Sequence, residues 1–428
     1  MVNRVFHRKL RRDIARQWSQ FAAVMLVVAI ASAVYVGASD AYTNLRDSFD
    51  RAYVDLRLPD VVVSGDKALK VPDGLPGEPI MSARYSVDLA IRVQGHALMG
   101  RLVSLPDGTQ PEVGRLAVLS GNLPRHGEAM VERHLADYFG LLAGQSVELL
   151  AANGPVEVKV SGAGLASEYF WPARSSQELM TTPEQFGVLF VSESVIAAVA
   201  PNVVSQGAWY VRDRAQVDAV TAALRSAAEA DGLTVLTRAE QPSFVALDQD
   251  VKTFGDFAVM LPMAFLIAGA LGAYILLSRL VHSQRAVIGT LTANGIRART
   301  LRRHYLGYGV VAGLGRAIPG VAGGYALGVW FTTMYTNAIG LPLHVTSFHL
   351  ASVLTAIAMS VITTMLAAWG PARAAARLTP GEAMRVTPPG HGGSRCSNGS
   401  CPSREGCPHG GEWCYGTCRG TAGEVCPP

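Results

Sequence analysis

The side chains that could do chemistry in this sequence are few and do not form a catalytic pattern. His96, His126 and His134 are scattered through the central region, without a carboxylate or cysteine at the spacing of a metal site. No serine stands in a nucleophile elbow, and the ATP-binding pattern G-x-x-x-x-G-K-[ST] does not occur in the sequence. We therefore expect a chain that is not an enzyme, binds no cofactor or metal, and has histidines with surface or core roles.

The segment 283–299 instead has residues suited to contact with another protein. Val287, Ile288 and Leu291 stand at positions i, i+1 and i+4, which predicts one apolar face on a short helix, with Arg285 beside it. Such a helix could insert an apolar side chain into a groove of a soluble partner. Alternatively, it could rest on anionic lipid headgroups.

Four long apolar runs must position that segment. Apolar residues make up 49% of the chain and charged residues 16%, against roughly 25% charged in soluble domains. The first run could be a cleaved signal peptide, but it continues beyond the small residues 31–33, which favours an uncleaved anchor. Each run is near or above the ~20 residues that span ~30 Å of hydrocarbon, too long for ordinary core helices. The sequence thus predicts an α-helical membrane protein with four transmembrane helices, at 21–38, 257–280, 310–335 and 347–368.

The basic residues predict the orientation of these spans. Residues 1–20 carry six basic side chains against the single acid Asp13, and the link between the second and third spans holds five arginines and no acid. The connection 335–347 has neither lysine nor arginine. The N-terminus 1–20 and the segment 283–299 are therefore expected in the cytoplasm, with residues 40–252 outside. That outer region is acidic although the whole chain has a net charge of +4, so we expect no nucleic-acid partner.

Residues 40–252 are predicted to form an extracytoplasmic α+β domain, because short β-prone runs alternate with glycine and proline. The predicted strands are 61–65, 86–93, 146–151, 156–162 and 186–192, and the predicted helices are 126–141 and 214–232.

Two motifs in the membrane half resemble the FtsX-like permease core, which we predict over 257–388. The first motif reads Q-R-x-x-I-G-x-L-x-A-x-G and matches Gln284, Arg285, Ile288, Gly289, Leu291, Ala293 and Gly295, with Val287 completing the predicted coupling segment. The second reads P-A-x-x-A-x-x-x-x-P-x-E-A-x-R and forms a cytoplasmic exit after the fourth span, with Pro371, Arg373, Pro380, Glu382 and Arg385. Upstream, the segment 119–150 is similar to the MacB-type periplasmic core.

The resemblance implies a permease subunit of an ABC-type exporter or mechanotransmission complex in the plasma (cytoplasmic) membrane of a bacterium. In such a complex a separate ATPase hydrolyses ATP and pushes on the coupling segment 283–299. The work exports or extracts a lipoprotein, a peptide or another amphiphile. The alternatives are a membrane-anchored sensor or receptor, a regulator of an envelope hydrolase, and an inactive truncated remnant.

Small residues in the third span predict close helix packing, at Gly313, Gly315, Gly320, Gly324 and Gly328. The contact could be with a second permease half or homodimer, or with helices of the same bundle. Arg316 in this span carries a costly charge. It could snorkel to the headgroups or face a substrate path.

The tail 389–428 contains all six cysteines of the chain. A small disulfide or zinc module is one interpretation, with His391 and His409 available. However, the tail has no C-x-x-C pair and few apolar residues, and it follows a cytoplasmic exit, where disulfides are disfavoured. A shifted reading frame could encode a basic lead into a fifth span here. We therefore expect a frameshift product, cysteines without an evolved function, and the loss of a second permease half.

Overall fold

The structure is a computed structural model that describes residues 2–67, 72, 74–178, 181–199, 203–315, 317–341, 343–379 and 381. Several predicted features lie outside these residues: Arg316, the exit-motif residues Pro380, Glu382 and Arg385, and the tail 389–428. The chain starts with the basic helix α1 (Val2–Arg16), which is followed directly by the long helix α2 (Trp18–Asp55).

A mixed α+β domain follows α2. Its elements are β1 (Val61–Gly65), β2 (Pro79–Val93), β3 (His96–Leu105), β4 (Leu116–Gly121), β5 (Glu128–Glu132), α3 (Arg133–Phe139), β6 (Ser146–Ala151), β7 (Gly154–Ala166), β8 (Phe186–Ser192), α4 (Glu193–Val199), β9 (Val204–Val211), α5 (Val217–Asp231) and β10 (Thr234–Thr237). The predicted strands 61–65, 146–151 and 186–192 coincide with β1, β6 and β8. The predicted strands 86–93 and 156–162 lie within β2 and β7.

Six of the strands close into a ring in the order β2-β3-β8-β5-β7-β6, because β6 pairs with both β2 and β7. Aliphatic side chains fill the ring, and those of α3 and α4 join the same core. Strands β10, β1 and β9 extend the sheet beyond β2, and α5 packs on this extension. The core of the domain is therefore a small barrel with an appended sheet.

The predicted helix 126–141 is partly wrong. Residues Glu128–Glu132 form β5, and only Arg133–Phe139 are helical. β5 pairs with β7 and β8, so its side chains are buried in the barrel, and that pairing overrides the local helix preference. Glu132 then caps α3 by accepting hydrogen bonds from the backbone N–H groups of His134 and Leu135.

The membrane half contains α6 (Pro242–Ser283), α7 (Arg285–Ala293), α8 (Ala298–Leu314), α9 (Ala317–Ile339) and α10 (Leu350–Arg377). By length and composition, four helical stretches among the described residues could cross a membrane: 18–55, 242–283, 298–339 and 350–377. The architecture is thus an α-helical membrane protein with an α+β domain. The MacB type of that domain remains a prediction.

Helices α2 and α6 are much longer than the predicted spans. With 38 and 42 residues, they measure about 57 and 63 Å, against a hydrocarbon core of ~30 Å. The C-terminal end of α2 and the N-terminal end of α6 reach into the domain and share a core with Phe170 and Leu165. Within this core, the ring of Tyr53 stacks on Phe170 at a centroid distance of 5.5 Å. The domain is therefore fixed to the two helices by buried aromatic packing.

Candidate functional site

The segment 283–299 folds as a short helix between two sharp breaks. Gln284 ends α6 and precedes α7, with φ −101° and ψ 13°. Gly295 follows α7 with φ +79°, a left-handed conformation that glycine adopts without strain and that ends helices. The chain then turns into α8 at Ala298. The two breaks leave α7 as a separate nine-residue helix at the basic end of the bundle.

Gln284 is the centre of a polar cluster that sequence reasoning missed. Its side-chain oxygen accepts hydrogen bonds from Tyr305 at 3.0 Å and from Lys9 at 2.5 Å. Its amide nitrogen donates to Asp13 at 2.9 Å. The cluster therefore ties α1 to the break between α6 and α7, and ties both to α8.

Asp13 is the second centre of this cluster. One of its carboxylate oxygens also accepts hydrogen bonds from Lys9 at 2.6 Å and from Tyr308 at 2.8 Å. Burial acts to raise the pKa of Asp13, but hydrogen bonds from Lys9, Gln284 and Tyr308 outweigh it, so the pKa lies below its ordinary value. Asp13 is thus ionised at neutral pH. A lone acid in a basic segment was the available sequence signal.

The apolar residues of α7 do not share one exposed face. Ile288 is only 1% exposed and packs in a cluster with Leu301 and Tyr305, while Leu291 packs against the edge of that cluster. Val287 is 46% exposed. Adjacent helical positions differ by ~100°, so burying Ile288 turns Val287 outward. The prediction of one apolar face shared by the three side chains is therefore wrong, because Ile288 anchors α7 to its own bundle.

The second motif meets the first in the same core. Ala372 and Ala375 of α10 are fully buried in the cluster that contains Ile288, and Pro371 is buried inside α10. Arg373 is exposed. Because alanine is small, α10 can approach α8 and α7 closely here. Two motifs that are about 80 residues apart thus form one packed unit.

The glycines of the third span pack within the chain. A Cβ atom on Gly320 would lie 2.7 Å from the Ala29 carbonyl oxygen, and one on Gly324 would lie 2.7 Å from that of Ala33. Gly328 likewise approaches Gly37 of α2. The remaining two contact α10 and Met25: Gly313 and Gly315. The sequence left two contacts open for these glycines, with a second permease half or with helices of the same bundle. In the structure they pack against helices of the same bundle.

Two adjoining cavities lie between α2 and α6 near the domain. A cavity of about 150 Å³ is lined by aromatic and charged side chains, among them Tyr42, Arg46 and Lys252. A second cavity of about 470 Å³ continues from Tyr42 and Lys252 to Tyr35 and Val259, in the apolar part of the helices. Together they form a groove with an apolar end and a charged end.

The histidines considered for chemistry have other contacts. The Nδ1 atom of His134 lies 2.6 Å from Glu132, the residue that caps α3. His126 is exposed, 4.0 Å from Asp107, and the His96 ring packs on Phe139. Among the residues that the structure describes, no group of three histidine, cysteine or acidic side chains could hold a metal ion.

Comparison with protein families gives one match. Residues 259–380 match the family model described as FtsX-like permease C-terminal. The match includes the first motif and the start of the second, and it confirms the predicted family for this part of the chain. A search of curated proteins finds no match.

Proposed function

From the FtsX-like permease C-terminal domain at residues 259–380, we propose that this chain passes the motion of a separate ATPase to its extracytoplasmic α+β domain. The family indicates a membrane-embedded permease subunit of an ABC transporter, and such permeases generally work with an ABC ATPase. ATP would be hydrolysed by that partner, so this chain would itself be neither an enzyme nor a cofactor-binding protein. Its place would be the plasma membrane of a bacterium, with the N-terminus in the cytoplasm.

The observation that carries the proposal is the anchoring of α7. Its exposed side presents Val287 to the solvent, and the exposed arginines Arg297 and Arg299 follow it. Its buried side joins α8 and α10 through Ile288, and its first residue follows Gln284, which is bonded to α1. A displacement of α7 would therefore also move α1, α8 and α10.

The long helices supply the connection to the domain. Since α2 and α6 continue from the membrane into the core around Phe170, tilting them would move the domain as a body. The groove between them has aromatic and apolar walls below and charged groups such as Arg46 and Lys252 above. These properties suit an amphiphile such as a lipoprotein or an apolar peptide, and we propose this substrate class.

A second permease half is a further proposed partner. The glycines of α9 are occupied by α2, so such a partner would need another surface. The opposite side of α9 exposes large apolar side chains, including Ile318, Trp330 and Met334. Lipid acyl chains or a second permease half would cover them.

Coupling is tested by placing a charge at the exposed position of α7. The chain is co-expressed with candidate ABC ATPases from the same genome, and co-purification and ATP hydrolysis are measured. We expect Val287→Asp to reduce the recovered ATPase at least tenfold, because a carboxylate would be desolvated in the apolar contact. The matched control is Val54→Asp. Val54 is 57% exposed and lies on α2 at the end that enters the α+β domain, far from α7. Equal ATPase recovery with both variants would contradict the proposal.

The orientation is tested by cysteine labelling. The six native cysteines, all in the tail, are first replaced by serine. Exposed Ala293 at the end of α7 and exposed Ala152 in the domain are then changed to cysteine one at a time. A membrane-impermeant maleimide applied to intact cells should label position 152 and leave position 293 unlabelled. Labelling of both from outside would refute the cytoplasmic placement of α7.

A further inference from the structure

A polar contact holds the loop before α10 against α2 at the outer end of the bundle. Asn44 Oδ1 accepts a hydrogen bond from the backbone N–H of Ser347 and lies 3.0 Å from Nε2 of His349. Ser48 accepts a hydrogen bond from the N–H of Val345 at 2.9 Å. Asn44 and Ser48 are fully buried, whereas His349 is half-buried. The imidazole of His349 thus connects the outer loop to a buried amide.

Asp40 lies one turn before Asn44 on α2 and is only 1% exposed. Neither of its carboxylate oxygens has a partner within strict hydrogen-bond geometry, and the amide nitrogen of Asn44 also has none. The Ser352 hydroxyl can act as a hydrogen-bond donor to the carboxyl, and its oxygen also lies 3.2 Å from that of Ser39. Both carboxylate oxygens of Asp40 and the amide nitrogen of Asn44, one helical turn away, are therefore buried polar atoms of α2.

The groups around Asp40 do not supply a compensating cation. Helix α9 presents Gly328, where an added Cβ would lie 3.3 Å from Cβ of Asp40, and α10 presents Ser352. The titratable group that acts on the carboxyl electrostatically is His349. On the side of α6, Lys252 and Asp256 line the adjoining cavity together with Ser39. An ionised Asp40 would thus be buried without a close ion pair, which costs several kcal/mol.

A proton is the ligand that fits this set of atoms. A metal ion would need several more oxygen ligands, and the free amide N–H of Asn44 would repel it. We propose that Asp40 binds a proton from the extracytoplasmic side, with His349 and Asn44 as the access route. On uptake, the carboxylate gains one proton and becomes a neutral acid. On release, the proton returns to the outer solvent and the carboxylate remains.

The position of Asp40 gives this proton a consequence for packing. Asp40 stands where α9 packs closely on α2, beside Gly37 and Gly328. A neutral carboxyl is compatible with this dry contact, whereas a carboxylate draws in water and separates the helices. Proton binding would thus stabilise the closed contact between α2 and α9. This site does not depend on the proposed ATPase coupling.

The test is infrared spectroscopy of the full-length chain in lipid nanodiscs. Wild-type protein at neutral pH should show a protonated-carboxyl C=O band that shifts with ¹³C-labelled aspartate. The band should be lost in Asp40→Asn. A wild-type spectrum without the band at neutral pH, or a band that persists in Asp40→Asn, would overturn the proposal. If Asp40→Asn does not fold, the isotope shift and the response to Asn44→Ala are measured, and a band unaffected by Asn44→Ala would overturn it.

The access route is tested with two histidines of the same loop. After transfer into D₂O, the exchange of the carboxyl proton should be at least tenfold slower in His349→Asn than in the wild type. His344→Asn is the matched control, because His344 is exposed and should leave the rate unchanged. Equal rates in the two variants would exclude His349 as the route.

Discussion

Removing the Asp13 carboxylate should release α7 from the bundle. The oxygen that Asp13→Ala removes accepts hydrogen bonds from Lys9, Gln284 and Tyr308. The side chains of Lys9 and Asp13 are 16% and 12% exposed, so solvent replaces these contacts only in part. Breaking a fully buried ion pair costs 3–5 kcal/mol. We therefore expect that losing this partly buried ion pair and its hydrogen bonds lowers the local stability of α1 and α7 by about 3 kcal/mol.

Hydrogen–deuterium exchange measures this loss locally, without requiring reversible unfolding of a membrane protein. A cost of about 3 kcal/mol corresponds to a roughly 100-fold increase in the opening equilibrium. Amides of α1 and α7 should exchange faster by that factor in Asp13→Ala, while amides of the barrel should not change. The hydrogen bonds of this cluster join α1, the break between α6 and α7, and α8.

The control is a second aspartate with the same spacing to a basic residue. Asp137 pairs with Arg133 at i−4, as Asp13 pairs with Lys9, but its side chain is 69% exposed. An exposed pair of this kind contributes about 0.3–0.5 kcal/mol, so Asp137→Ala should change exchange near α3 by about twofold. If Asp13→Ala changed exchange in α7 no more than this, the polar cluster would not be what holds α7.

Three further outcomes follow from the same contacts. Gly324→Ala should lower the midpoint of thermal inactivation, because its Cβ would meet the Ala33 carbonyl at 2.7 Å, whereas Gly323→Ala, with no atom within 4 Å, should not. Phe170→Ala should lower the free energy of local unfolding by about 3–5 kcal/mol, because Phe170 is fully buried. The loss would be measured as faster hydrogen exchange at the C-terminal end of α2. Leu142, which is 68% exposed, is the control, and Leu142→Ala should leave exchange unchanged. Because the folded-state pKa of Asp13 is lowered, its contribution is present above about pH 4 and is lost as the pH falls through the folded-state value. Exchange of α7, corrected for the intrinsic rate, should therefore accelerate only in acid, and should show no such step in Asp13→Ala.

The existence of the membrane helices could be predicted from the sequence, but their lengths could not. Apolar runs mark the part of a helix that lies in hydrocarbon, and the polar turns that extend α2 to Asp55 have no such signal. Those turns are helical because Leu45 and Phe49 pack into the domain core. Leu45, Phe49 and Tyr53 stand at i, i+4 and i+8, a helical spacing that long apolar runs do not include.

The coupling segment shows a similar limit. Its motif predicted a short helix between span two and span three, and α7 is that helix. The spacing of Val287 and Ile288 did not show which of them would be buried, because the answer depends on where Leu301 and Ala372 lie. The lone acid Asp13 stood out in its basic segment, but its partner Gln284 could not be identified from the sequence because it is 271 residues away.

The closed ring of strands was the least predictable feature. Strand β5 reads as the start of a helix because EAMVERHLADYF contains strong helix formers. Its conformation is decided by β7 and β8 on either side, and β8 follows about 55 residues later in the chain. Strand pairing over such separations depends on burial and not on local preference.

The two long helices differ in how they can carry motion. Helix α2 contains no proline over its 38 residues, so its backbone hydrogen bonds can continue from the contact with α1 to the domain. Helix α6 contains Pro262, which removes one backbone donor and favours a bend at that point. Pro262 separates the outer part of α6, which packs on Phe170 through the core that contains Leu247, from the inner part that ends at Gln284. Under the proposed coupling, a push on α7 would bend α6 at Pro262 while α2 tilts as a rigid rod, and the domain would turn because its two supports respond differently.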